Sequence, residues 1–299
     1  MIAMAMLAEK VSSLSGAAGR PHPWDAAATG WNHHGALIHN WLRDATQTML
    51  DEARIKPGAR VLDVAAGAGD QTLDIARRVG SSGWVLATDV SPTILSLAQK
   101  NATAAGLTQV STLTADAQSL GLSNANFDAA VCRLGLMFCH SPLTALEEIR
   151  AALRPLGRFC ALVFGPPEHN PCLTITLATA RKHVGLVNGS ATSPSSAFEP
   201  GMLMSLGKPG LLEELFLAAG FTDVEVRAVS APFHATSAAH YVDFLRSSAS
   251  PIIEILAPLS AAARQKAWHD ITRQLEVFST PADWAGPNEL LQVVGRNAR

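Results

Sequence analysis

Val61-Leu62-Asp63-Val64-Ala65-Ala66-Gly67-Ala68-Gly69-Asp70 is the stretch on which the fold turns. An apolar β-type run passes into a turn of small residues, and helical periodicity starts at once and runs over 70–79. Gly67 and Gly69 permit a tight turn and let a ligand come against backbone N–H groups at a helix N-terminus. Such a turn alone serves any nucleotide. A second element follows at Asp89, which closes the next β-type run 20 residues beyond Gly69, where a carboxylate can accept both hydroxyl hydrogens of an adenosine ribose.

Outward from this turn, short apolar runs alternate with amphipathic helical stretches. Strands are expected at 60–65, 84–88, 110–114, 127–133 and 158–164, with helices over 70–79, 92–105 and 142–153 between them. Ser91-Pro92 and Ser141-Pro142 each supply an N-cap followed by proline at the first helical position. After Pro166 regularity breaks, and Pro, Gly and Ser gather through 185–210 before a helix resumes at 211–219. Strands at 222–229 and 290–295 follow, separated by about 60 residues with helical patterns at 238–245 and 261–278. No internal repeat or low-complexity tract is visible.

The fold class is therefore α/β: a Rossmann-like, seven-stranded, mostly parallel sheet flanked by helices, with helical lid insertions. One domain is expected over residues 1–299, made of an N-terminal helical arm (1–56), a cofactor-binding core (57–165) and lids at 166–210 and 232–288. Antiparallel pairing of the last two strands would make both insertions leave from the carboxyl edge of the sheet, where ligands of open α/β sheets bind.

Composition narrows the partners. With 48% hydrophobic and 16% charged residues in 299, the chain can bury a large core. A net charge of −2 without a block of Lys and Arg excludes the electrostatic footprint of a nucleic-acid binder and favours small molecules. Cys132, Cys139, Cys160 and Cys172 form no C-x-x-C pair and sit in apolar runs, so they read as reduced, packed thiols and place the protein in the cytoplasm. Residues 1–8 are apolar but short, with no basic residue before them, which does not suit a signal peptide. No apolar run reaches the ~20 residues that span a bilayer, so no integral membrane segment is expected. A homodimer is compatible with the sequence.

The glycine turn and Asp89 together fit NAD as well as S-adenosylmethionine (SAM). Two details separate them. A dinucleotide fingerprint wants Gly or Ala at the sixth motif position and no anion beside the pyrophosphate, whereas here the sixth position is Thr72 and acids flank the turn at Asp63 and Asp70. Carboxylates there repel phosphate and attract the ammonium and sulfonium of SAM.

On these residues the chain resembles the class I SAM-dependent methyltransferases, and within them the branch of the ubiquinone/menaquinone-biosynthesis C-methyltransferases. The resemblance covers residues 57–164 well, weakens over 209–229 and is absent from the lids. It implies that Asp63 and the turn residues Ala65, Ala66, Gly67 and Gly69 hold the methionine moiety, that Asp89 binds the ribose, and that Val90 packs on the adenine. Ala115-Asp116-Ala117 matches the family's third element, which places Asp116 and Ala117 at the adenine amino group. The segment Val131-Cys132-Arg133-Leu134-Gly135-Leu136-Met137-Phe138 is similar to the one lining the methyl-transfer site. Arg133 has two readings, a partner for the SAM carboxylate or a structural ion pair at the helix mouth. Asp63 also reads as a helix-cap acid and Asp116 as a turn former, but all three elements occur in order.

Methyl transfer is an in-line displacement, so alignment and exclusion of water are the main tasks. The lids bring Trp268, Trp284, Phe198, Phe233 and several methionines, which suggests an apolar or aromatic acceptor methylated at O, N or C. If a general base is needed, His140 and His34 are the candidates, with His33 and His39 nearby on the arm; for each, an ordinary surface or capping histidine is the competing reading. No acid or cysteine at ligand spacing joins those histidines, so no metal is expected. Trp31, with Trp24 and Trp41, marks an aromatic arm that closes over SAM or simply packs on the sheet. Two rival functions stay open: an NAD-type oxidoreductase, and a methyltransferase-like protein that binds SAM without transferring methyl.

Overall fold

The computed structural model describes residues 23–123, 126–186 and 198–298; residues 1–8 and part of the 166–210 insertion lie outside them. Seven strands, β1 (Arg60–Val64), β2 (Trp84–Asp89), β3 (Val110–Thr114), β4 (Phe127–Arg133), β5 (Leu153–Phe164), β6 (Phe221–Ser230) and β9 (Glu289–Asn297), form one sheet in the order β3-β2-β1-β4-β5-β9-β6. The first five are mutually parallel. β9 runs antiparallel between β5 and β6, as expected for the last two strands. An antiparallel strand wedged at this place departs from the wholly parallel order of dinucleotide-binding sheets.

Strand composition explains the layering. Val61, Leu62 and Val64 of β1 and Phe159, Cys160, Ala161, Leu162 and Val163 of β5 are buried on both faces, the near-continuous apolar pattern of a sheet covered on two sides. Helices α1 (Pro23–His33), α2 (Gly35–Glu52), α3 (Asp70–Val79), α4 (Pro92–Ala104) and α5 (Pro142–Ala152) are joined by α6 (Pro171–His183) and α7 (Leu211–Ala218). The Ser91 hydroxyl accepts the Ile94 N–H at 3.1 Å and that of Ser141 accepts the Thr144 N–H at 3.4 Å, so both proline-marked starts are capped as the sequence implies. Asp70 in the first turn of α3 and Arg77 and Arg78 in its last turn match the helix dipole.

Because β5 and β6 both pair antiparallel with β9, both point the same way, and the connections after them leave from the carboxyl edge. The connection after β6 holds β7 (Phe233–Ala235), α8 (Ala238–Ser248), α9 (Ser250–Leu256), α10 (Ala261–Leu275) and β8 (Trp284–Gly286). β7 and β8 pair antiparallel as a separate two-stranded sheet that periodicity does not announce, since three residues are too few to show it. Helix α10 stops at Leu275, and residues 276–278 form a 3-10 turn. The expected helix over 142–153 also stops early, because Leu153 pairs with Phe127 and starts β5 five residues before the expected strand.

The arm is seated by small residues. Gly30 of α1 lies so close to α8 that a Cβ there would be 2.0 Å from the Ser247 carbonyl oxygen. On the same helix Ala27 and Ala28 are fully buried. All four cysteines are free and buried, and burial pushes the thiols of Cys139 and Cys172 up to about 12, which keeps them protonated and inert. Among the described residues no helix is long and apolar enough to cross a membrane.

Candidate functional site

Over the carboxyl ends of β1, β2 and β4 lies a cavity of about 1320 Å³. That is larger than the roughly 300–1,000 Å³ of ordinary small-molecule sites, so it has room for two ligands side by side. The sheet provides its floor. Ala65, at φ 54°, ends β1 in a left-handed conformation and hands the chain to Gly67 and Gly69, at φ 58° and 91°. The turn is held from β2: one Asp89 carboxylate oxygen accepts the Gly67 N–H at 3.0 Å, and the other accepts the Ser91 N–H at 3.1 Å.

Trp31, Ala65, Ala66, Gly67, Asp89, Val90, Asp116, Ala117, Arg133 and His140 all line this one cavity, although they come from six separate stretches of chain. Asp116 is also a turn former: its Oδ1 accepts the Gln118 N–H at 2.9 Å and caps the short turn Ala117–Ser119. It keeps its cavity face while doing so.

Three expected site residues stand elsewhere. Gly69 shapes the turn but is not on the cavity wall. Asp63 is fully buried beneath the turn, where its carboxylate accepts the Thr72 hydroxyl at 2.5 Å and the Gln71 amide at 3.1 Å. Burial pushes Asp63 up to about 7, opposed by those two hydrogen bonds. Asp63 thus fastens the turn to α3 and is not on the cavity wall. Thr72, whose presence spoke against a dinucleotide, is the residue that fastens it.

His34, a candidate base, is also off the cavity: its Nε2 lies 3.1 Å from the Ser247 hydroxyl and its ring packs edge-on against Phe244. Burial lowers its pKa. It is a joint between the arm and α8. His140, by contrast, is exposed on the cavity rim. Arg133 resolves to an ion pair, with Nη2 2.8 Å from Asp70 Oδ2 and Nη1 donating to the Thr46 hydroxyl at 2.8 Å. His39 of α2 meets the same Asp70 at 3.1 Å, so the arm, α3 and β4 are tied at one carboxylate. Among the described residues no group of three His, Cys, Asp or Glu is arranged to hold a metal.

Lids and arm form the roof. Trp24 and Trp31 come from α1, Leu177 from α6, Ile255 from α9, and Met202 and Met204 from the loop before α7. Trp268, Trp284 and Phe198 are not on the cavity; Trp284 is fully buried, stacked on Tyr241 at 4.6 Å. The apolar roof is as expected, but other residues supply it. Sequence reasoning missed Asn101, whose side-chain amide donates to the Ala68 carbonyl at 3.0 Å and to Asn32 of the arm at 2.8 Å. It also missed Asp25, which binds the Ser91 hydroxyl and so links the arm to the Asp89 loop. Neither residue carries a motif; only contact across 69 and 66 positions reveals them.

A Rossmann-like sheet with an antiparallel strand near its edge, and a glycine turn braced by an acid at the end of β2, define the class I methyltransferase fold. The chain belongs to the ubiE/COQ5 methyltransferase family, whose model matches residues 36–239. Demethylmenaquinone methyltransferase of Bacillus velezensis is 32% identical over 130 residues, 44% of this chain and 54% of that protein. The chain thus matches about half the length of the curated relatives it resembles. Phosphoethanolamine N-methyltransferase 2 of Haemonchus contortus, solved with SAM, has a TM-score of 0.57 at 15% identity, covering 94% of this chain and 61% of that one. The YcgJ protein of Bacillus subtilis has a TM-score of 0.56 at 17% identity, covering 86% and 99%. At such identities the likeness is one of fold.

Proposed function

We propose that the protein is a SAM-dependent methyltransferase whose acceptor is a small apolar molecule carrying a ring. One observation carries this reading. Asp89 braces the glycine turn with backbone bonds from both of its oxygens and still faces a cavity large enough for cofactor and acceptor together. In this reading Asp89 takes the ribose hydroxyls, Val90 covers one face of the adenine, and Asp116 with Ala117 meets its amino group. Ala65, Ala66 and Gly67 face the methionine end, with Trp31 above it. Arg133 acts through Asp70, holding that carboxylate in place near the positive end of the cofactor. Asp63, Thr72 and Gly69 keep the turn in shape.

SAM, when bound, supplies a methyl group already activated by its sulfonium. What the chain adds is alignment and dryness, an effect worth up to ~7–11 kcal/mol when reacting atoms are held in line. Leu134 and Leu136, with Met202 and Met204 above, leave little for water to bind. His140, exposed on the rim, is the candidate to take a proton from the acceptor. Relatives named as ubiquinone/menaquinone biosynthesis C-methyltransferases favour carbon as the acceptor atom. Incubation with deuterated SAM and a small-molecule extract, followed by mass spectrometry, tests the reading. A metabolite that gains a CD3 group is expected. Binding of SAM with no labelled product in any extract would leave a binding protein instead.

A further inference from the structure

Helix α6 has two unlike faces. Cys172, Leu173, Thr176, Thr179 and Ala180 are buried. Two residues of this side are tied to α10: the Gln274 side-chain amide donates to the Thr179 hydroxyl at 2.8 Å, and His183 Nε2 lies 2.8 Å from Asp270 Oδ2. The other side carries Thr174, Leu177, Ala178 and Arg181, all of which line the main cavity. Positions i, i+3, i+4 and i+7 form one stripe of a helix. At about 100° per residue, Arg181 leaves the axis within roughly 20° of Thr174 and nearly opposite His183, so its side chain is directed to the cavity and away from the core.

Charge sets this arginine apart. Arg133 and Arg181 are the arginines on the cavity wall, and no lysine joins them there. Arg133 is taken by Asp70 at 2.8 Å. Arg181 is half-buried, and its guanidinium has no hydrogen bond or ion pair among the described residues. A basic residue in the last turn of a helix suits the helix dipole, but Lys182 and His183 occupy that turn as well, and Lys182 is exposed and off the wall. Two glutamates share the wall without neutralising it. Glu168 precedes α6, and Arg181 stands ten residues beyond its first residue, about 15 Å along the axis. Glu254 of α9 is exposed, where water screens its charge.

A planar guanidinium set beside Leu177 and Ala178 matches a carboxylate, which it can meet with two parallel N–H donors. Asp89 and Asp116 make the sheet edge hostile to an anion, which leaves the α6 side of the cavity for one. With acids in excess on the wall, one arginine balances one negative charge and not the two of a phosphate monoester. Resting on the methyltransferase reading above, we propose that Arg181 is a specificity-determining residue for the acceptor, pairing with a single carboxylate on an otherwise apolar aromatic molecule. The ring lies in the apolar part of the cavity and the carboxylate sits under α6.

Binding of 2-naphthoate, 2-naphthamide and 2-naphthyl phosphate to the full chain, measured without cofactor by isothermal titration calorimetry, is the test. 2-Naphthoate is expected to bind more tightly than its uncharged amide by about tenfold or more, the worth of one charge-assisted pair, and more tightly than the phosphate. Arg181→Gln should reduce the preference over the amide to about threefold or less, while Lys182→Gln, the same change of charge one residue along, should keep it. Equal binding of acid and amide or no binding of either, full preference kept by Arg181→Gln, or an equal loss in Lys182→Gln overturns the proposal. Tighter binding of the phosphate overturns the assignment to a carboxylate. Arg181→Gln should bind S-adenosylhomocysteine as the parent does. Failure of the parent to bind S-adenosylhomocysteine would count against the cofactor reading alone, since probe preference is read without it.

Discussion

Two carboxylates of the same motif have opposite duties, and the difference is where each is placed. Asp89 faces the cavity, so replacing it tests the ribose role. Two charge-assisted hydrogen bonds at roughly 1.5 kcal/mol or more each imply that Asp89→Asn weakens S-adenosylhomocysteine binding by about a hundredfold. Isothermal titration calorimetry reads this directly, and unchanged affinity would sink the ribose assignment. Asp63 is sealed under the turn and pushed up to about 7 from the ordinary 3.8. A carboxyl whose folded-state pKa is raised binds its proton more tightly when folded. Its contribution is therefore fully present below about 3.8 and is lost as pH rises through about 7. That gap corresponds to about 4 kcal/mol between the two protonation states. Asp63→Asn keeps an acceptor for Thr72 and removes the titration, so urea unfolding should show a parent that loses stability between pH 4 and 8 relative to a variant that does not. A parallel pH dependence in both proteins would contradict the burial argument.

At the scale of elements, the arm is positioned by what it lacks. Gly30 lets α1 approach α8 so closely that an added Cβ would strike backbone, not a side chain that can swing aside. Gly30→Ala should raise helix propensity yet push α1 away, costing about 1–3 kcal/mol in urea unfolding. Because α1 brings Trp31 to the cavity roof and Asp25 to Ser91, cofactor affinity should fall with it, by tenfold or more. A variant as stable as the parent, with equal affinity, would show that the arm is not held at this crossing. The same element marks how far the sequence could be read. Strands β1 to β4 and helices α3 to α5 were legible because each carries its own period, caps and turn residues. Asp89, Asp116 and the glycine turn were legible because the chemistry needs fixed types at fixed spacing. The arm's docking, the choice between the two readings of Arg133, and the removal of His34 to α8 were not, because each depends on which surfaces meet across long stretches of chain. Trp284 shows the same limit: an aromatic residue in a lid has no sequence mark that tells a roof from a core.

Across the whole molecule the two ligand roles are assigned to different parts of one cavity. The sheet edge, made by β1, β2 and β4, carries the groups suited to a nucleoside, while the arm and the connections after β5 and β6 supply the apolar roof. A ligand bound at the sheet edge touches elements that meet only in the folded state, so binding should appear as global stabilisation. At a free concentration of one hundred times Kd, linkage gives about 2.7 kcal/mol. For a chain of this size that corresponds to a rise in Tm of roughly 4 °C. S-adenosylhomocysteine should produce that rise and NAD should not. Asp70 beside the turn faces the cavity and opposes a pyrophosphate, Thr72 replaces the small residue a dinucleotide turn needs, and β9 runs antiparallel where a dinucleotide sheet continues in parallel. A larger rise with NAD than with S-adenosylhomocysteine in differential scanning calorimetry would reverse the cofactor assignment. Asp89→Ala should abolish the rise, whereas Asn288→Leu, just before β9, should leave it intact, because the first residue lines the main cavity and the second does not. Loss of the rise in both variants would mean that the two regions unfold and bind as one unit and that cofactor and acceptor recognition are not separable in this fold.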